Sequence, residues 1–183
     1  KKITRPKFDR IISEYQTKNR TLEIGAWGKP AYTKYFPNRV GIDIRGGKGV
    51  DIVASVYDMP FKNEEFNCVL CFAVLEHLEN PPRAIEEMNR VLKVGGKIIV
   101  SAPLLAPIHE APNDYWRFTK FGLRKLFSRG WKIERLVADM SGQESLAALL
   151  QRFAYQTDLK FNKISKALIF LAARFIQKMP NLV

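Results

Sequence analysis

Five short runs rich in β-branched residues alternate with helix-compatible stretches, and this alternation restricts the fold more than any other feature. The runs are bounded by Gly, Pro or Asn, and their continuous apolar character is typical of strands buried on both faces. They cover residues 20–24, 39–44, 50–54, 66–71 and 96–102. Strands that alternate with helices form parallel sheets with right-handed crossovers. The sequence therefore predicts an α/β fold, a Rossmann-like and mostly parallel doubly wound sheet with helices on both faces.

Helical periodicity and terminal signals place the remaining elements. The clearest helix covers residues 82–92, because Pro82 lies in its first turn and Gly95 and Gly96 follow its end. Further predicted elements are a leading helix within residues 1–19, a helix over 119–128, a strand over 131–138 and helical structure over 142–178. We therefore expect one domain, residues 1–140, followed by a basic helical extension, residues 141–183, that packs on it.

The cysteines and the N-terminal residues indicate in which cellular compartment the protein is expected. Cys68 and Cys71 fall inside a predicted buried strand, which favours two small core residues over a redox pair. No disulfide framework is expected, as in a reducing compartment. The chain opens with the charged run KKITRPKFDR rather than an apolar signal segment, so we expect a cytoplasmic protein. Two His and two Cys residues without ligand-like spacing predict no metal site.

The formal net charge of +12 is concentrated in the C-terminal third, where residues 117–183 carry 13 Lys and Arg against four acidic residues. Such a field attracts polyanions, phosphorylated substrates or anionic membrane surfaces. In the tail, apolar residues recur at spacings of three and four among basic residues: Ile164, Leu168, Leu171 and Phe175. This pattern predicts an amphipathic helix that either lies in an anionic membrane interface or packs on its own domain or a dimer partner.

A glycine turn follows the first predicted strand. The run TLEI leads directly into GAWGKP, and a strand followed by a glycine turn and a helix N-terminus is where nucleotide-type ligands meet backbone N–H groups. The next strand ends in Asp43, 18 residues after Gly25, where a carboxylate can accept both ribose hydroxyls. Together the two features indicate a cofactor that carries a nucleoside.

Four motifs in the same order resemble a known family. They are LEIGAWG, VGIDI, DMPFKNEEFNCVLCFAVLEHL and EEMNRVLKVGGKIIVSAPL, and they resemble the class I S-adenosylmethionine-dependent methyltransferases of the type 11 group over about residues 20–138. The tract HEAPNDYWRFT, residues 109–119, is similar to a branch associated with polysaccharide and glycolipid biosynthesis. The resemblance implies that residues 1–140 form a methyltransferase domain and that its cofactor is S-adenosylmethionine.

The resemblance also implies which residues bind the cofactor. Glu23 and Gly25 would lie beside its methionine and ribose, and Asp43 would bind the ribose hydroxyls. The full implied set is Glu23, Gly25, Ala26, Trp27, Gly28, Asp43, Ile44, Ser55, Val56, Cys71 and Phe72. Within this set, Ser55 and Val56 would lie near adenine, and Cys71 and Phe72 on the sulfonium side.

Three positions depart from the family pattern. Trp27 stands where a second glycine is usual, Ser55 where an acid binds the adenine amino group, and Asn67 where the fourth strand begins with Asp. These departures predict weakened cofactor affinity. They also keep open a second interpretation, in which the chain is a catalytically idle methyltransferase fold that serves as a binding or scaffold protein.

A long Pro-rich loop follows the strand that ends at residue 102, in the place where such a sheet delivers loops to its ligand crevice. His109 in this loop is the candidate general base with Asp114 to orient it, and His77 is its competitor and a candidate acceptor-binding residue. Tyr115, Trp116 and Arg117 are expected to bind the acceptor by stacking and ion pairing. The alternatives are structural: backbone bonding by His77, loop packing by His109, and an Asp114–Arg117 pair that holds the loop closed.

The run NPPR, residues 80–83, is superficially similar to the signature of methyltransferases that act on amide or base nitrogens. It lies nine residues beyond Cys71 instead of directly after the strand, and Arg83 offers no aromatic face. A helix-starting role is therefore favoured.

The sequence as a whole predicts an enzyme that transfers a methyl group from S-adenosylmethionine to an oxygen of a small-molecule or glycan acceptor, such as a lipid-linked sugar. Peripheral contact with an anionic membrane at the inner leaflet would suit such an acceptor. An RNA methyltransferase is a further alternative, which is disfavoured because basic and aromatic residues are not interleaved as in RNA-binding modules. A nicotinamide-dependent oxidoreductase is disfavoured because the glycine turn lacks the G-x-G-x-x-G spacing.

Overall fold

The computed structural model describes residues 5–28, 32–156 and 163–178, with side chains from residue 8 onward except those of 153–156 and 163–166. It divides into two compact units. One comprises Lys1–Ile11, Leu105–Pro107 and Glu134–Val183, and the other comprises Ile12–Leu104 and Ile108–Ile133. The second unit contains the whole sheet and every residue of the candidate site.

The sheet has five parallel strands in the order β3-β2-β1-β4-β5. They are β1 (Thr21–Ile24), β2 (Arg39–Asp43), β3 (Ile52–Val53), β4 (Phe66–Phe72) and β5 (Leu92–Ser101). The direction of winding reverses between β1 and β4, and in open α/β sheets ligands bind in the crevice at the carboxyl ends of the strands at such a switch point. The predicted doubly wound parallel fold is confirmed.

The helices agree with the sequence prediction in position. They are α1 (Arg5–Glu14), α2 (Pro81–Val91), α3 (Lys120–Leu126), α4 (Gly142–Gln156) and α5 (Lys163–Lys178), and a short 3₁₀ helix covers Leu75–His77. The predicted helical segment 142–178 contains α4 and α5, and its residues 157–162 lie outside the described residues. No helix in the described part of the chain is both long enough and apolar enough to cross a bilayer.

The start of α2 explains the NPPR run. The Asn80 side chain accepts a hydrogen bond from the Arg83 backbone N–H at 3.2 Å, and the two prolines occupy the first two helical positions. Proline suits these positions because the first N–H groups of a helix have no partner within it. The run caps a helix, as its position in the sequence indicated.

One predicted element, the strand over residues 131–138, is absent from the described part of the chain. Residues 131–138 form no strand, since the sheet ends at β5, and most side chains of this segment are exposed, including Ile133 and Val137. Alternating apolar residues form a strand only where a neighbouring edge accepts their backbone hydrogen bonds. Residues 32–36, the part of the segment after the glycine turn that the structure describes, form hydrogen-bonded turns in which Tyr35 and Phe36 donate to the Tyr32 carbonyl.

The core lies around β1 and β4. All four residues of β1 are buried, and Phe66, Val69 and Leu70 of β4 are fully enclosed. Helix α2 contributes the buried side chains Ala84, Ile85, Met88 and Val91 to the same cluster. Cys68 and Cys71 are buried in β4 and form no disulfide bond, and burial raises the pKa of Cys68 to about 12. A neutral, enclosed thiol packs as a small apolar group.

A buried ion pair joins β1 to β2. Glu23 Oε2 lies 3.0 Å from Arg39 Nε, and their side chains are 3% and 6% exposed. Arg39 also donates to Asp51 at 3.2 Å, and Asp51 accepts from the Gly41 backbone N–H at 2.6 Å. Charges taken out of water in this way are stable only when they are paired and hydrogen-bonded. The network therefore fixes the register of β1, β2 and the loop before β3.

Candidate active site at the carboxyl edge of the sheet

The glycine turn after β1 is fastened to the end of β2. The backbone N–H groups of Gly25 and Ala26 both donate to the Ile42 carbonyl, at 2.9 and 3.0 Å. Gly25 has a φ of +73°, and a Cβ there would collide with the Val74 side chain. Position 25 therefore requires glycine for its backbone conformation and for the close approach of Val74.

Asp43 ends β2 directly beside this turn. Its Oδ2 accepts from the Trp27 backbone N–H at 3.3 Å, and its Oδ1 accepts from the Arg45 backbone N–H at 2.9 Å. The side chain is 10% exposed. Two residues that are 18 positions apart in sequence, Gly25 and Asp43, thus meet at one point of the crevice, as their spacing predicted. A carboxylate held by backbone donors at this point can accept further hydroxyl groups.

Trp27 occupies the position of the missing second glycine. The Arg45 guanidinium carbon lies 4.4 Å from the centre of its ring, within the range of a cation–π contact. A Cβ on Gly47 would lie 2.9 Å from Trp27 Nε1, so the ring rests against a residue that has no side chain. The loop after β2 thus provides the space that Trp27 fills.

Apolar side chains flank Asp43 at the sheet edge. Ile44 is 70% exposed, and Val53, which pairs with Asp43 at the end of β3, is also largely exposed. Beyond β3, Ser55 Oγ accepts from the Tyr57 backbone N–H at 3.2 Å, whereas Val56 is buried in the core. Exposed apolar groups beside a carboxylate suit a ligand that carries both a flat apolar base and hydroxyl groups. The residues at this edge fit a nucleoside.

The other side of the switch point is formed by the end of β4. Cys71 and Phe72 are buried there, and the Phe72 ring meets the edge of Tyr32 with 5.0 Å between ring centres. Ala73 leaves the strand at a φ of +52°, and its backbone N–H donates to Ser101. The chain then enters the 3₁₀ turn that carries His77.

The loop at residues 108–119 is attached to this 3₁₀ turn. The backbone N–H groups of Tyr115 and Trp116 donate to the Glu76 carbonyl at 2.8 and 3.2 Å, and the Trp116 indole N–H donates to the Leu78 carbonyl at 2.7 Å. His77 Nδ1 lies 2.6 Å from the Asn113 carbonyl oxygen. A carbonyl oxygen only accepts, so this nitrogen carries the proton. His77 thus forms a hydrogen bond to the backbone, which was the structural alternative to a role in acceptor binding.

His109, Asp114 and Arg117 form one cluster in the loop. Arg117 donates to both oxygens of Asp114, at 2.6 and 2.7 Å, and the His109 backbone N–H donates to Asp114 at 2.8 Å. The Arg117 guanidinium holds the pKa of Asp114 well below its ordinary value. His109 Nδ1 lies 3.4 Å from the same carboxylate. The ion pair that closes the loop therefore also places a permanent negative charge beside the imidazole.

Glu76 is a site residue that sequence reasoning missed. Its side chain is fully buried, and its Oε1 lies 3.9 Å from His77 Nε2. The rings of His77 and His109 meet edge to face with 4.8 Å between their centres. The sequence contains one signal for Glu76, namely its position next to His77 in the run LEHL. His109 lies 32 residues beyond His77, and only the fold brings the two histidines together.

The cofactor-side and loop-side residues face the same edge of the sheet. Arg45, which follows Asp43, pairs with Glu110 of the loop at 3.2 Å. Tyr115 and Trp116 keep about two fifths of their surface exposed, and the Tyr115 hydroxyl donates to Asn113 at 2.9 Å. The exposed rings of Tyr115 and Trp116 can therefore contact a ligand. The two guanidinium nitrogens of Arg117 that contact Asp114 are instead engaged in hydrogen bonds within the loop.

Comparison with known proteins agrees with this architecture. A family model described as a methyltransferase domain matches residues 30–100. An uncharacterized protein of Methanocaldococcus jannaschii is 46% identical over 99 residues, which cover 49% of this chain and 47% of that protein. The ubiquinone/menaquinone biosynthesis C-methyltransferase of Serratia proteamaculans is 34% identical over 67 residues, which cover 35% of this chain and 27% of that protein. The chain thus spans about half or less of the length of these relatives.

Solved structures show the same fold at low identity. An S-adenosylmethionine-dependent methyltransferase from Aquifex aeolicus superposes with a TM-score of 0.57 at 14% identity, over 70% of this chain and 81% of that one. The [4+2]-cyclase SpnF superposes with a TM-score of 0.63 at 17% identity, over 93% and 75%. A fold that also hosts a cyclase does not fix the reaction. The chain has the Rossmann-like fold of the class I methyltransferases, and its residues 30–100 match the methyltransferase domain family.

Proposed function

We propose that this protein transfers the methyl group of S-adenosylmethionine to a hydroxyl oxygen of a small-molecule or glycan acceptor. The observation that carries the proposal is the meeting of the Gly25 turn with Asp43 at the switch point, on the sheet edge that also holds His109 and Asp114. The match of residues 30–100 to a methyltransferase domain supports the same chemistry.

In this proposal residues at the ends of β1, β2 and β4 would hold the cofactor. Asp43 accepts the ribose hydroxyls, Ile44 and Val53 offer apolar surface to the base, and Cys71 and Phe72 close the far side. The bound cofactor supplies a methyl group on a positively charged sulfur. The Glu23 side chain forms the buried ion pair with Arg39. Its role in this proposal is therefore to hold β1, the strand that leads into the glycine turn.

His109 receives the acceptor proton in this proposal. A carboxylate on one side of an imidazole fixes its orientation and stabilises the imidazolium that forms on protonation. Asp114 has this relation to His109, and the Arg117 pair keeps Asp114 ionised. His77, whose Nδ1–H is held by Asn113, and the exposed faces of Tyr115 and Trp116 line the acceptor side. A glycan is favoured as acceptor because exposed aromatic rings stack on sugar faces.

Cofactor titration by calorimetry tests the proposal. We expect saturable one-to-one binding of S-adenosylmethionine and S-adenosylhomocysteine to the purified chain. Once a glycan acceptor is found by transfer of labelled methyl groups, His109→Asn is expected to keep cofactor binding and to lower turnover by about 10²–10⁴-fold, the usual contribution of a general base. Absence of binding at millimolar cofactor would contradict the proposal and leave a scaffold role in its place.

Carbon methylation is the second candidate, because several relatives are named as ubiquinone/menaquinone biosynthesis C-methyltransferases. Mass spectrometry of the labelled product distinguishes the two. A methyl ether supports oxygen transfer, and a methyl group on a ring carbon supports the second candidate.

We further propose that α5 contacts an anionic membrane surface. Leu168, Leu171 and Phe175 are all more than 60% exposed and recur at spacings of three and four, with exposed Arg174 beside them. An exposed apolar stripe edged by basic residues suits the interface of an anionic bilayer. The predicted stripe also includes Ile164, whose side chain lies outside the described ones.

Vesicle sedimentation measures this contact. We expect the chain to sediment with vesicles that contain phosphatidylglycerol, but not with phosphatidylcholine alone, and high salt should weaken the effect because it screens surface charge. Leu171→Glu is expected to abolish sedimentation, whereas Val94→Glu, at an even more exposed apolar residue of β5, should leave it unchanged. Equal sedimentation of the two variants would overturn the assignment.

A further inference from the structure

Three side chains with metal-ligating atoms converge beside the loop at residues 108–119. Glu76, His77 and His109 each offer one ligand atom, and these atoms all lie within 4.8 Å of one another. Two imidazoles and one carboxylate are a frequent ligand set of catalytic Zn²⁺ sites, which keep a further position open. We propose that these three residues bind one divalent transition-metal ion, for which Zn²⁺ is the best match.

Contacts outside the ligand set hold both imidazoles. Metal-bound histidines almost always donate their second ring N–H to a carbonyl or carboxylate oxygen. His77 Nδ1 has such a contact with the Asn113 carbonyl at 2.6 Å, which directs its Nε2 toward Glu76. His109 Nδ1 lies 3.4 Å from Asp114. Both imidazoles therefore have the supporting partners that metal sites require.

The backbone around the cluster is also fixed. The Glu76 carbonyl accepts hydrogen bonds from two residues of the loop, Tyr115 and Trp116, so the segments that carry His77 and His109 are attached to each other. Ligands 2.0–2.2 Å from a tetrahedral ion are roughly 3.4 Å apart. The ligand atoms lie within 4.8 Å of one another, so the most distant pair must approach by at most roughly 1.4 Å when an ion binds.

The surrounding charges favour a cation at this point. Glu76 is fully buried, and a carboxylate removed from water gains from a nearby positive charge. Asp114 compensates the guanidinium of Arg117 through two hydrogen bonds, which reduces its repulsion of an ion. Imidazole ligands select Zn²⁺, Co²⁺ or Ni²⁺ over Mg²⁺ and Ca²⁺, which prefer oxygen.

Cobalt titration of the untagged, metal-free chain tests this inference without any need for activity. We expect one equivalent of Co²⁺ to bind with visible absorption bands of a four- or five-coordinate ion, without the charge-transfer band that cysteine ligands would add. One equivalent of Zn²⁺ should displace it. Glu76→Gln, His77→Asn and His109→Asn should each weaken binding by at least about 100-fold, since even supporting residues contribute 10–100-fold.

Glu79→Gln is the matched control, because Glu79 is exposed and lies one turn beyond Glu76. It should bind Co²⁺ like the original chain, and circular dichroism should show that all four variants remain folded. If Co²⁺ binding is absent, or is equal in the His109→Asn variant and the original chain, no such site exists. The result is independent of the proposed methyl transfer, because cofactor titration addresses Asp43 and the metal titration addresses His109. A bound ion would, however, occupy the imidazole proposed as base, so Zn²⁺ should lower turnover without changing cofactor affinity.

Discussion

Replacing Arg39 by methionine is expected to lower the free energy of unfolding by about 3–5 kcal/mol, the usual loss when one partner of a buried ion pair is removed. Arg39 and Glu23 are almost fully enclosed, so the variant leaves the Glu23 carboxylate in the core without its guanidinium. The variant also removes the hydrogen bond to Asp51. Urea denaturation followed by circular dichroism measures the loss as a shift of the midpoint.

Arg20→Met is the matched control for this experiment. Arg20 forms an even shorter ion pair, 2.6 Å from Glu65, but the two side chains are 43% and 23% exposed. Exposed pairs contribute about 0–1 kcal/mol. Combining Glu23→Gln with Arg39→Met should recover part of the loss, because the buried charge is then removed as well. Equal losses in Arg20→Met and Arg39→Met would show that burial of the pair does not matter.

Replacing Asp43 by alanine is expected to weaken S-adenosylmethionine binding by at least about 100-fold. Hydrogen bonds to a charged group contribute about 1.5–3 kcal/mol each, and the proposal assigns two of them to this carboxylate. The effect is large because the carboxylate also accepts from the Trp27 backbone N–H and so supports the turn. Calorimetric titration of the variant measures the affinity.

Asp43→Asn separates the two roles of this residue. The amide keeps one oxygen for the backbone donors but loses the second acceptor and the charge. We expect its affinity to lie between those of Asp43→Ala and the original chain. Glu86→Ala removes an exposed acid from α2 and should have no effect. Unchanged binding in Asp43→Ala would exclude Asp43 from the cofactor site.

The alternation of apolar runs was sufficient to predict the sheet, because strands buried on both faces carry a continuous apolar signal. The same signal misled over residues 131–138, where apolar residues such as Ile133 alternate with polar ones but the segment does not pair with the sheet. Strand formation depends on a neighbour, and a neighbour is a property of the fold and not of the local sequence.

The candidate site was predictable to different degrees. Asp43 was placed correctly beside the glycine turn because both lie at the ends of adjacent strands, and the strand ends were predictable. Glu76 was missed because nothing in its own segment distinguishes a buried carboxylate from a solvated one. The loop that carries His109 is attached there by hydrogen bonds to the Glu76 carbonyl, and the position of a long loop depends on such individual contacts.

The enclosure of both cysteines has a practical consequence. The thiols of Cys68 and Cys71 are both buried, burial also raises the pKa of Cys68 to about 12, and solvent-exposed thiolates are the species that react with electrophilic dyes. A single cysteine introduced on the surface would therefore be the reactive thiol of the described chain. Fluorophores and spin labels can be attached at chosen positions of the folded protein while the two native sulfurs stay in place.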